Sequence, residues 1–115
     1  VKFLLAAFRG DLMCFAHVML NAVDLRKAGH EVEIMLEGES TKIPKLFADD
    51  PKANFYPLWN QIVEGKYITA VCKACSQKMG GFEAAEKLGL PMNGDMSGHP
   101  PFSKWLAEGF QIITF

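Results

Sequence analysis

The chain alternates between apolar runs of strand length and longer stretches with helical spacing. Residues 1–8 are apolar at every position but Lys2, which predicts a strand covered on both faces of a parallel sheet. Arg9-Gly10-Asp11 breaks the run. Asp11 is the N-cap of a helix predicted to run to about residue 28, with Gly29 as its stop. Leu12, Phe15, Ala16, Met19 and Val23 recur at helical spacing and form its buried stripe. Cys14, His17, Asn21 and Asp24 form the opposite stripe, which faces solvent or a partner subunit. Residues 31–37 are a second strand, in which Val32, Ile34 and Leu36 alternate with Glu33 and Met35, and Gly38-Glu39-Ser40-Thr41 closes it.

Residues 42–47 and 55–64 read as two short helices separated by Asp49-Asp50-Pro51. Residues 67–71, rich in β-branched and aromatic side chains, are a third strand. A turn and a first helical piece occupy 72–81, and an amphipathic helix continues over 82–88 to Gly89. Pro101 opens a helix through 108, Gly109 ends it, and 110–115 is the last strand. The helix ending at 88 finishes at one edge of the sheet and the helix at 101 starts at the other. Residues 90–93 therefore read as a short strand despite Pro91. Strand and helix in alternation predict an α/β three-layer sandwich: five parallel strands, right-handed crossovers, helices on both faces. The flavodoxin-like order 2-1-3-4-5 is the usual solution.

Composition narrows the function classes. With 115 residues, half of them apolar, the chain forms one domain over 1–115 with a core that needs no staples. A net charge of -1 gives no basic surface for nucleic acid. No apolar stretch is long enough for a membrane span, and no signal peptide is recognisable, which places the protein in the cytoplasm. Three cysteines in that compartment read as thiols or metal ligands rather than a disulfide framework. Val18 and Leu25 beside the first helix's core stripe, with Trp59 and Trp105, predict apolar surface that drives homo-oligomer formation.

Candidate chemistry lies at the carboxyl ends of the strands, in segments 9–14, 37–41, 72–80 and 94–100. These hold all three cysteines and His99. Cys72 ends a strand and precedes a helix, where unpaired N–H groups favour a thiolate, and Lys73 and Lys78 add positive charge. Cys75 completes a C-x-x-C, which serves a redox pair or half of a zinc site. In the order 2-1-3-4-5 Cys14 and Cys72 lie on adjacent loops, so Cys14, His17, Cys72 and Cys75 are an alternative zinc set, with His99 a further ligand candidate. The outer stripe position of His17 weighs against it as a ligand, and His99 between Gly98 and Pro100 reads as a turn residue. No G-x-G-x-x-G, Walker A or G-x-S-x-G occurs. Glu37, Glu39, Asp49 and Asp50 read as solvated loop carboxylates.

Val71-Cys72, followed by small residues and Gly80, is similar to the Cys-x-x-Ala-x-x-x-x-Gly segment of the DsrE/DsrF-like sulfur-relay family, which includes the TusD type. The resemblance covers most of the chain. Met13-Cys14-Phe15-Ala16-His17 and Met96-Ser97-Gly98-His99-Pro100 resemble a subgroup of short cytoplasmic DsrE-like proteins. The resemblance implies a flavodoxin-like fold and oligomers, with Cys72 at the position of the persulfide-carrying cysteine and Cys75 where a small residue is common. The expected function is a sulfur carrier without a cofactor. Cys72 takes sulfur from a donor protein and passes it to an acceptor cysteine, Cys75 resolves the persulfide or carries it in turn, and Lys73, Cys14 and His99 line the site. The alternative is a zinc-binding or small-ligand-binding oligomeric module.

Overall fold

A computed structural model describes residues 1–115. The first strand, β1 (Lys2–Ala7), leads into α1 (Leu12–Lys27), whose N-cap Asp11 accepts the Cys14 N–H. After β2 (Glu31–Leu36) a 3-10 helix (Gly38–Lys42) runs into α2 (Ile43–Asp49) and α3 (Tyr56–Glu64). Next come β3 (Ile68–Cys72), α4 (Lys73–Met79), α5 (Phe82–Lys87), the two-residue β4 (Met92–Asn93), α6 (Phe102–Ala107) and β5 (Phe110–Thr114). Residues 38–41, expected to close the strand as a turn, are thus helical. Gly81 allows the α4–α5 turn to press on this segment, since a Cβ there would lie 1.9 Å from the Thr41 carbonyl oxygen.

All five strands are parallel, as expected, but their order is β4-β3-β2-β1-β5 rather than 2-1-3-4-5. The chain steps in one direction from β1 through β4, and only the last connection returns, to the free edge of β1. β2 therefore separates β1 from β3. Ile34 N–H bonds the Tyr67 carbonyl at 2.8 Å, and Thr69 Oγ1 donates to Glu33 Oε1 at 2.6 Å, holding β3 against β2 across a register shift between Ile34 and Met35.

Right-handed crossovers that step the same way leave their helices on the same face. The two cores show this asymmetry. Leu5, Val32, Ile34, Leu36 and Val71 of the sheet pack with Phe15, Phe47, Trp59, Ile62 and Ala85 of α1, α2, α3 and α5. Leu4, Ala6, Met35, Ala70 and Phe110 pack with Trp105 of α6. Trp105 Nε1 donates to Glu33 Oε1 at 2.9 Å, fixing α6 on this second face.

Of the residues expected to form an apolar surface, Leu25 is half-buried and the other three are core instead. Val18, Trp59 and Trp105 are 1%, 3% and 3% exposed. The exposed apolar side chains are others, including Met13, Leu20, Met96 and Leu106. No helix is long and apolar enough to cross a membrane.

The topology also locates a crevice. β3 exits toward α4 on the crowded face, whereas β4 exits toward α6 on the other. Where adjacent strands send their connections to opposite faces, an open α/β sheet forms its binding crevice. Here that point lies between Cys72 and its β4 partner Asn93.

Candidate functional site

Cys72 is both the last residue of β3 and the N-cap of α4. Its backbone is still extended, at φ -61° and ψ 116°, and its Sγ accepts the Cys75 N–H at 3.4 Å. Ser76 Oγ donates back to the Cys72 carbonyl at 2.7 Å. The first turn of α4 thus closes on the sulfur and brings Cys75, one turn on, beside it. Cys72 is fully buried, and Cys75 is partly exposed.

The third member arrives from β4. Met96 and His99 exchange backbone hydrogen bonds of 2.8 and 2.9 Å, with Ser97 and Gly98 at φ 52° and 95° between them. Two consecutive left-handed residues make a type I′ turn, for which Gly at the second position is favoured. The Gly98 carbonyl accepts the Ala74 N–H at 2.8 Å, and a Cβ on Gly98 would lie 3.0 Å from the Ala74 Cβ. The turn is thereby clamped on the start of α4. It delivers His99 Nδ1 to 3.0 Å from Cys72 Sγ and 3.7 Å from Cys75 Sγ. The ligating atoms of Cys72, Cys75 and His99 all lie within 4.8 Å of one another.

No family model matches the chain. Over 99 residues it is 34% identical to the uncharacterized protein MJ0733 of Methanocaldococcus jannaschii, covering 84% of this chain and 76% of that protein. The chain belongs to the MJ0733 family. A solved structure, the conserved protein of unknown function BT1422 from Bacteroides thetaiotaomicron, superposes with a TM-score of 0.65 at 22% identity, over 99% of this chain and 94% of that one. The two share a fold. For this member of the MJ0733 family the chemistry is read from the cluster: two thiols and an imidazole, which together can move a proton off sulfur or hold a soft metal ion.

The electrostatics reverse one expectation. Burial pushes the Cys72 thiol up to about 12, outweighing the Cys75 N–H that favours a thiolate. A strand-to-helix junction lowers a thiol's pKa only where solvent still reaches it, and here Cys72 is roofed. Lys73 lines a separate polar cleft with Gln77 and Glu86.

Cys14 and His17 stay outside the cluster. Cys14 is partly exposed in the first turn of α1, where Asp11 pushes its thiol up, and His17 is exposed. Their strand, β1, lies beyond β2 from Cys72, so the set Cys14, His17, Cys72 and Cys75 is replaced by Cys72, Cys75 and His99.

Glu37 is the residue the sequence reading assigned to solvent. Leu36 pairs with Val71, so Glu37 follows next to Cys72 on the same face of the sheet. Its N–H bonds the Ala7 carbonyl at 2.9 Å and Ser40 Oγ at 3.0 Å, and only 8% of the residue is exposed. Burial pushes its carboxyl up, and the charge of His99 pulls it back. The signal was available: Glu33, Met35 and Glu37 share one strand face, and Met35 on that face is core.

Proposed function

We propose that this protein carries sulfane sulfur on the Cys72–Cys75 pair, in the manner of the DsrE/DsrF-like family it resembles. The observation that carries the reading is the 3.0 Å approach of His99 Nδ1 to Cys72 Sγ, with Cys75 beside both. A thiol pushed up to about 12 does not ionise alone at neutral pH, and an adjacent imidazole supplies the base. Cys75, the more accessible thiol, is the entry point. Its thiolate attacks the outer sulfur of a donor persulfide, R–S–SH. The donor S–S bond breaks, R–S⁻ leaves, and Cys75–S–SH forms. Cys72, its proton passed to His99, attacks the same outer sulfur, giving Cys72–S–SH and the Cys75 thiolate. An acceptor thiolate draws the sulfur out by the reverse route. The buried position of Cys72 shelters the persulfide from solvent. The reading implies a protein donor and acceptor, a reducing cytoplasm and a homo-oligomer, and needs no cofactor.

The test is intact-mass analysis after incubation with glutathione persulfide. Wild type and Cys14→Ser gain roughly one sulfur mass, ~32 Da, and Cys72→Ser/Cys75→Ser gains none. Equal gain by that double variant would remove the reading.

A second reading rests on the same three donors. Two thiolates and one imidazole, with atoms within 4.8 Å of one another, supply three corners of a tetrahedral zinc site and leave the fourth open. A cation would also displace the proton that burial holds on Cys72. Under this reading purified protein carries stoichiometric zinc, lost alike in Cys72→Ser, Cys75→Ser and His99→Ala. Zinc-free protein that still gains sulfur decides for the carrier.

A further inference from the structure

The rim holds a second feature beside the thiols. The ends of β1 and β2 and the start of α6 enclose a cavity of about 300 Å³, at the lower end of small-molecule sites, about 300–1,000 Å³. Phe8, Met96, Pro100 and Phe102 give it apolar walls, and Phe8 and Met96 are exposed. The one ionisable group lining it is Glu37. Glu37 is buried and takes part in no ion pair. His99 is the basic group whose charge it feels, and the ring of His99 is engaged with the two sulfurs. A buried carboxylate without a bound cation is costly, and a cation that reaches it displaces little water.

We propose that this cavity binds a small organic ammonium ion with an apolar body, the head group on the Glu37 carboxylate and the hydrocarbon against Phe8, Met96 and Phe102. An anion is disfavoured because no Lys or Arg lines the cavity. A hard metal ion is disfavoured because one carboxylate among prolines and phenylalanines supplies too few oxygen ligands. The site adjoins the thiol cluster, with Glu37 beside Cys72 and Met96 and Pro100 in the segment that carries His99, but uses none of the three cluster side chains.

The test is an NMR titration of the ¹⁵N-labelled full chain with 2-phenylethylamine, against the neutral 2-phenylethanol at the same pH. The amine saturates, with shifts confined to amides around Phe8, Gly38 and Phe102, and binds at least about tenfold more tightly than the alcohol. Glu37→Gln removes that preference. Met96→Ala changes an exposed side chain, leaves the fold intact, and weakens the amine a few-fold even if Glu37→Gln does not fold. Absence of saturation, shifts elsewhere, equal binding of amine and alcohol, or affinity unchanged in Met96→Ala would each overturn the proposal.

Discussion

At the scale of single residues, the two thiols of the C-x-x-C differ in environment more than in sequence. Cys75 is partly exposed, whereas Cys72 is fully buried with its thiol pushed up to about 12. Iodoacetamide at neutral pH should therefore modify Cys75 first, and peptide mapping should find Cys72 labelled slowly, with a rate still climbing at pH 10. Faster labelling of Cys72 would show that its thiolate is already formed. Glu37 gives a prediction of stability. Its carboxyl is raised by burial, so the folded state favours the protonated form. That contribution is full below the ordinary carboxylate range and is lost as pH rises through the raised folded value. Glu37→Gln should thus melt higher than wild type at pH 7, and the gap should close as the pH falls toward 4. A gap of the opposite sign at pH 7 would mean that a cation within the chain satisfies the carboxylate.

At the scale of elements, most of the fold is legible in the chain. Asp11 and Gly29 bound α1, Gly65 and Gly89 stop their helices, and the apolar run at 1–8 contains β1, an interior strand of the sheet. Neighbourhood is less legible, because periodicity says which residues form a strand and not which edge it joins. The pairing of β3 with β2 depends on contacts such as Thr69 with Glu33, thirty-six positions apart. The same gap left the role of His99 open between turn residue and ligand. Its Gly-His-Pro-Pro setting reads as a turn, and it is one, but the turn's target is fixed by β4 lying beside β3. Cys72 and Cys75 could be found from their spacing and position, and His99 from its place on the rim, whereas the contact that joins the imidazole to both sulfurs could not. Gly98 tests this element. Gly98→Ala places a side chain at φ 95° and 3.0 Å from the Ala74 Cβ, at an expected cost of about 1–3 kcal/mol. Thermal melts should show that loss, and His99 should leave the sulfurs, seen as a changed alkylation rate of Cys72. Unchanged labelling in a destabilised variant would mean that the turn does not set the cluster.

At the scale of the whole molecule, one crossover of reversed direction organises both the fold and the site. α1, α2, α3 and α5 pack on one face and α6 alone on the other, and the switch between β3 and β4 falls where the thiols stand. The apolar residues left outside the core, Met13, Leu20, Met96 and Leu106, are the ones a second copy would cover. Sedimentation at micromolar concentration should show an oligomer that Leu20→Glu weakens, and a clean monomer in wild type would remove self-association from the account.

The central claim is that sulfur enters and rests on the Cys72–Cys75 pair. The most direct measurement is peptide mapping of protein treated with a persulfide donor and then trapped by alkylation. The account predicts the added sulfur on the peptide holding Cys72 and Cys75, with none on the peptide holding Cys14. Sulfur found on Cys14 alone, or on no cysteine, would contradict it.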